Sequence, residues 1–188
     1  MEPGRRAFLA GIAACGATLL HAPVRAGDPR SVSPYAATPE SVVSAMLSMA
    51  NVGPGDYMVD LGSGDGRMVI AAAKRGANAL GVDIDAKLVK LANQYAERDG
   101  VATRAVFREQ DIFDTDLAQA SVITVYLLPA IMDRIATKLR KELKAGARVV
   151  THDFPLPGWR SERVMAMDVP EKRDYQYSSA TTLYLYRA

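Results

Sequence analysis

The run Asp60-Leu61-Gly62-Ser63-Gly64-Asp65-Gly66-Arg67 sets three glycines at alternate positions between two carboxylates. Glycine lets a backbone turn sharply and approach a ligand without a Cβ in the way. The spacing is not G-x-G-x-x-G, the loop that seats a pyrophosphate on a helix start. Asp60 and Asp65 would repel phosphates, but they suit the amino group of an amino-acid moiety. A plain tight turn needs fewer glycines and no flanking acids. Two more carboxylates follow. Asp83, in Gly81-Val82-Asp83, can accept hydrogen bonds from both hydroxyls of a ribose. Asp111, in Gln110-Asp111-Ile112, can accept from an adenine amino group, with Ile84 and Ile112 offering apolar faces to the ring. Each aspartate alone could cap a helix. Together, beside the glycine loop, they describe a site for a nucleoside that carries an ammonium.

Such a site needs elements that bring the acids to one edge of a sheet, and the chain supplies a strand–helix rhythm. Strands are predicted at 57–61, 79–83, 105–109, 122–127 and 147–152, and helices at 67–75, 86–98 and 130–143. A preceding helix starts at Thr38-Pro39-Glu40, with Thr38 as N-cap and Pro39 at the first helical position. It carries Val42, Val43, Met46, Leu47 and Ala50 on one face, and Gly53-Pro54-Gly55-Asp56 ends it. Leu88, Leu91, Ala92 and Tyr95 are the expected inward face of the 86–98 helix, and Ile131, Ile135 and Leu139 that of the 130–143 helix. After Phe154–Trp159, where Pro155, Pro157 and Gly158 forbid a helix, 163–169 and 182–186 read as two further strands. The fold class is α/β: a Rossmann-like, doubly wound, mainly parallel sheet covered on both faces, ending in an antiparallel hairpin. Asp60, Asp83 and Asp111 then lie at strand carboxyl ends, where open α/β sheets bind ligands.

The length of 188 residues suits one domain, and 49% hydrophobic with 23% charged residues excludes a disordered or fibrous chain. One cysteine, Cys15, and two histidines exclude a disulfide framework and a Cys/His zinc site, and no metal is expected. Residues 1–26 read as an export signal: Arg5-Arg6-Ala7-Phe8-Leu9, an apolar run to Leu20, and the small-residue exit Val24-Arg25-Ala26. The paired arginines resemble a twin-arginine address, implying a periplasmic or other extracytoplasmic location. An uncleaved membrane anchor, the only membrane contact expected, and a lipoprotein box at Ile12-Ala13-Ala14-Cys15 are the alternatives. Residues 27–37 form an extended lead-in and 38–188 the functional domain. Without Arg5, Arg6, Arg25 and Glu2 the basic and acidic residues balance. That argues against a nucleic-acid partner, which calls for a basic face.

These pieces resemble the class I, seven-β-strand, S-adenosylmethionine-dependent methyltransferases. The resemblance is narrower over residues 34–160, to small bacterial methyltransferases related to the mitochondrial lysine methyltransferases of the ATP synthase c subunit and the adenine nucleotide translocase. The motifs are Pro34-Tyr35…Thr38-Pro39, the Asp60–Arg67 loop, Gly81-Val82-Asp83, Asp111-Ile112-Phe113, Val125-Tyr126-Leu127-Leu128-Pro129, Gly146–Val150 and Phe154-Pro155…Trp159. The resemblance implies S-adenosylmethionine as cofactor. Its methionine part would lie on Asp60, Gly62, Ser63, Gly64, Asp65 and Gly66, its ribose on Asp83, and its adenine on Asp111. Tyr35 and Thr38, just before the first helix, are placed in the wall of the same site.

Methyl transfer from a sulfonium is an in-line displacement that needs alignment and exclusion of water. Tyr126, ending the fourth strand, could line an amine channel, and Asp153 or His152, ending the fifth, could take a proton. Core packing for Tyr126 and a structural role for His152 are the plainer readings. The fourth strand lacks the Asn/Asp-Pro-Pro-Tyr clamp of many nucleobase and glutamine methylating enzymes. Tyr175, Tyr177, Tyr184 and Tyr186 cluster near the end, the last two on one strand face. The expectation is a protein-lysine methyltransferase. A small-molecule methyltransferase and a non-catalytic binder of S-adenosylmethionine are the alternatives.

Overall fold

The computed structural model describes residues 35–174 and 178–188. The expected export signal, Pro34, Tyr175 and Tyr177 lie outside the described residues. The elements run α1 (Glu40–Met49), β1 (Tyr57–Leu61), α2 (Arg67–Lys74), β2 (Asn78–Asp83), α3 (Ala86–Arg98) and β3 (Ala105–Glu109). They continue β4 (Val122–Val125), α4 (Pro129–Glu142), β5 (Arg148–His152), β6 (Arg163–Asp168), a 3₁₀ turn (Pro170–Asp174) and β7 (Ala180–Arg187).

One seven-stranded sheet has the order β3-β2-β1-β4-β5-β7-β6. The first five strands pair in parallel, while β7 pairs antiparallel with both β5 and β6. The predicted hairpin is therefore present, with its second strand inserted beside β5. Strand order reverses between β1 and β4, which opens a crevice at the carboxyl ends of the strands there.

Apolar alternation along the strands builds both faces. Met58, Val122 and Val150 face one core, whereas Val59, Ile123 and Val149 face the other. The first core is covered by α1, α2 and α3. The second is covered by α4, with Ile112 and Leu117 from the loop after β3 and Leu156 from the loop after β5.

Three local expectations shift. Pro39, not Thr38, caps α1: the first helical bond runs from Val43 N to Pro39 O at 2.9 Å, and Thr38 makes no capping bond. Strand β4 ends at Val125 instead of Leu127. Its neighbour β1 stops at Leu61, the partner of Val125, because Gly62 turns away at φ 81°. The buried seam of α3 is Val89, Ala92 and Ala96, with Leu88, Leu91 and Tyr95 only half-buried. Small residues are needed there, since a Cβ on Gly66 would stand 2.8 Å from that of Ala92. As the sequence predicts, no helix stands between β3 and β4 or between β5 and β6.

Candidate functional site

The glycine loop is bolted to the end of β2. Gly62 N and Ser63 N both donate to Val82 O at 2.9 Å, and Gly64 N donates to Asp83 Oδ2 at 2.8 Å. Gly66 N donates to Ser63 O at 2.9 Å and Arg67 N to Asp65 Oδ1 at 3.2 Å. These N–H groups are spent inside the protein, so they form no cradle for a phosphate of the kind a helix-start loop offers. Two glycines are forced by crowding. Gly64, at φ 54°, lies under the Tyr35 ring, whose Cε2 would meet a Cβ at 2.5 Å. Gly66, at φ 84°, lies against Phe107, whose Cζ would meet one at 2.6 Å.

The acids stand at successive strand ends, as the registers Asp60↔Gly81 and Asp83↔Glu109 require. Asp60 is 7% exposed, and Thr124 Oγ1 donates to its Oδ1 at 2.6 Å. Burial pushes its carboxyl up to about 7; the Thr124 bond pulls the other way, and the charges of Asp83 and Asp65 add to the rise. Asp83 Oδ1 accepts from Asp85 N at 3.0 Å while Oδ2 holds Gly64 N, leaving one lone pair on each oxygen for a ligand hydroxyl. Asp111 is exposed, its Oδ1 accepting from Phe113 N at 2.8 Å, while Ile112 is buried and Ile84 half-buried. The buried Ser63 hydroxyl has no hydrogen-bond partner among the described residues.

Asp65 is engaged by Arg67. Arg67 Nε donates to Oδ1 at 2.9 Å and Nη2 to Oδ2 at 2.6 Å, while Nη1 reaches Thr38 O at 2.8 Å. Burial pushes Asp65 up, but the hydrogen bonds and charge of Arg67 outweigh it and hold the carboxyl below its ordinary range. Burial and the Asp65 charge push the Tyr35 phenol up to about 12. One ion pair thus straps the lead-in at Tyr35 and Thr38 across the glycine loop. Arg67 and Thr124 escaped the sequence reading. Arg67 is visible there only as the residue closing the motif, and Thr124 as one polar residue in an apolar strand.

A second group lies at the ends of β4 and β5. The rings of Tyr126 and His152 stack at 3.9 Å with an interplanar angle of 28°. Burial lowers His152 to about 4; the Asp153 charge opposes that shift and the Lys172 charge reinforces it. Asp153 is ion-paired to buried Lys172 at 2.7 Å. Lys172 carried no signal in the sequence, since it sits in a polar run that looks solvated. The structure therefore gathers Tyr35, Thr38, Asp60, the glycines and Asp83 around one loop, and Tyr126 with Asp153 around another. Tyr184 and Tyr186 share a strand face, their rings 6.4 Å apart.

The model of the ANTKMT methyltransferase domain matches residues 60–163. A protein-lysine N-methyltransferase of Saccharolobus islandicus is 40% identical over 137 residues, covering 72% of this chain and 85% of the relative. The adenine nucleotide translocase lysine N-methyltransferase of Mus musculus is 37% identical over 145 residues, covering 72% of this chain and 63% of that longer protein. Among solved structures, an RNA methyltransferase from Salinibacter ruber bound to S-adenosyl-L-homocysteine superposes with a TM-score of 0.72. It is 37% identical, over 81% of this chain and 93% of that one.

Asp60 generates a pH test. Its acid form is favoured in the fold, so the stability cost of ionising it is absent below about pH 4 and complete above about pH 7. Asp60→Asn, which keeps an acceptor for Thr124, is expected to gain roughly 1–4 kcal/mol on the parent as pH rises through that window. Thermal melts of both proteins at pH 4.5 and pH 8 read this directly. A difference that does not move with pH means that Asp60 ionises at its ordinary value.

Proposed function

The chain belongs to the ANTKMT methyltransferase domain family, and from that premise we propose that it methylates the side-chain amine of lysine in a protein acceptor. It is an S-adenosylmethionine-dependent methyltransferase. What carries the lysine reading is the Saccharolobus islandicus protein-lysine N-methyltransferase, 85% of whose length is matched, so that the similarity runs beyond the cofactor loop.

The residues present fit the cofactor. A buried, crowded Asp60 carboxyl is best relieved by a cation, and the amino group of the methionine part is one. The orphaned Ser63 hydroxyl and the remaining lone pairs of Asp83 offer further polar contacts at the same edge. We assign Asp60, Gly62, Ser63, Gly64, Asp65 and Gly66 to the methionine part, Asp83 to the ribose, and Asp111, Ile84 and Ile112 to the adenine. Tyr35 and Thr38 close the wall over the loop and exclude water. When bound, S-adenosylmethionine supplies an activated methyl group on a cationic sulfur. The acceptor amine is proposed to enter over the ends of β4 and β5, where Tyr126 offers an aromatic wall. There the acceptor must lose a proton before it attacks, and the closed, water-poor site favours the neutral amine.

The Salinibacter ruber relative raises RNA as the competing acceptor. The balanced charge of residues 27–188 speaks against it. Incubation with methyl-labelled S-adenosylmethionine and a membrane or periplasmic extract decides between them. Label that survives nuclease, disappears with protease and is recovered as methyl-lysine is the expected result. Nuclease-sensitive label would make the acceptor RNA, and label in the small-molecule fraction would make it a metabolite.

We also propose that residues 1–26 export the folded protein by a twin-arginine route, on the strength of Arg5-Arg6 and the apolar run after them. Replacing Arg5 and Arg6 together by lysine is expected to retain the protein in the cytoplasmic fraction. Unchanged export would assign the segment to the general secretory route.

A further inference from the structure

The acceptor end of the sheet holds a buried charge that methyl transfer by itself does not require. Lys172, in the 3₁₀ turn before β7, is 1% exposed. Its Nζ donates to Asp153 Oδ2 at 2.7 Å, Thr181 Oγ1 at 2.9 Å and Ala180 O at 3.4 Å, so all three donors are committed. A buried ion pair is a weak source of stability, since apolar residues of the same volume often serve as well. Its presence here calls for another reason.

That reason lies in what the pair holds. Asp153 adopts φ 61°, a conformation that residues with a Cβ enter at a cost. It is kept there from both sides. Asp153 N donates to Thr182 O at 2.7 Å, its Oδ1 accepts from Thr182 N at 3.1 Å, and its Oδ2 accepts from Lys172. The carboxylate is thereby fixed 3.4 Å from His152 Nε2. His152 is 1% exposed, and neither ring nitrogen has a hydrogen-bond partner among the described residues. Its ring backs Tyr126. The charged groups acting on it are Asp153, next in its own chain, and Lys172 from the turn, with the Tyr126 phenol across the stack.

We propose that Lys172 is a positioning residue for methyl transfer: by holding Asp153, it keeps an uncharged His152 behind Tyr126 where the acceptor amine enters. The inference rests on the reading that the acceptor passes over β4 and β5. The donor sulfur is cationic and the amine arrives as an ammonium, so a further cation in contact with Tyr126 would oppose both. Burial favours the neutral ring, the Asp153 carboxylate favours the imidazolium, and the Lys172 ammonium cancels that carboxylate. Without Lys172, Asp153 draws a proton onto His152.

The test follows the imidazole carbons of the full chain by NMR, with ¹³C-labelled histidine and His152→Asn to assign the resonances against His21. His152 is expected to titrate near pH 4 in the parent, and at least one unit higher in Lys172→Met. In single-turnover assays at saturating S-adenosylmethionine Lys172→Met is expected to run about fivefold or more below the parent one pH unit under its own His152 midpoint and to match the parent well above it, with S-adenosylmethionine affinity within twofold. Lys172→Met combined with Asp153→Asn removes both charges and preserves shape. It is expected to fold, to keep His152 neutral and to recover most of the lost rate at that same pH, because Asp153, engaged by Lys172, acts on the reaction through His152 and takes no proton itself. An unmoved His152 midpoint in Lys172→Met, a parent-like rate and pH profile, or a double variant no faster than the single one overturns the inference. The titration needs no acceptor, so it stands or falls whatever the substrate is. A parent that labels no lysine in any protein overturns the function reading instead.

Discussion

A carboxylate buried at the end of the central strand is the constraint around which this molecule is arranged. Asp60 can be neither solvated nor ion-paired where β1 ends: the glycine loop covers it, Thr124 holds one oxygen, and Asp83 and Asp65 add like charge nearby. The fold keeps this unfavourable group in place by rigidity. Gly62, Ser63 and Gly64 are tied to β2 by three hydrogen bonds. Gly66 and Gly81 are crowded by Phe107, and Arg67 neutralises Asp65 while it clamps the lead-in. A negative well of this kind is paid for elsewhere in the fold and is relieved by a ligand ammonium.

The same constraint suits the proposed role of the loop, which is to seat a nucleoside carrying an amino acid and not a dinucleotide. A phosphate-binding loop turns its N–H groups outward. Here they turn inward onto Val82 O and Asp83, and the outward chemistry is left to carboxylates. Family membership, fold and cofactor then agree with what the residues can do. The proposed acceptor side follows a separate logic, in which the Lys172–Asp153 pair leaves the His152 ring stacked on Tyr126 uncharged beside a reaction that already involves two cations.

Much of this was legible in the chain. Strands 57–61 and 105–109 and the helix 86–98 are bounded by turn residues and carry clear apolar patterns, and they form with those limits. The acids at strand ends were legible because their residue type and place coincide. Long-range packing was not. The α3 seam runs through Val89, Ala92 and Ala96 because the helix lies close to Gly66, a contact that periodicity alone does not encode. Strand β4 ends early because its partner turns away. Lys172 reads as a solvated lysine, and only the antiparallel insertion of β7 beside β5 buries it against Asp153.

Calorimetric binding of S-adenosylmethionine between pH 5 and pH 7, beside 5′-methylthioadenosine, which keeps the nucleoside and lacks the amino acid, reads the charge on Asp60 most directly. If Asp60 receives the ammonium, it must ionise on binding. S-adenosylmethionine affinity then falls by up to about tenfold per unit as pH drops, with proton release on binding, while the thioether nucleoside binds with little pH dependence. Equal pH dependence for the two ligands, or none for either, would mean that Asp60 does not receive the ammonium.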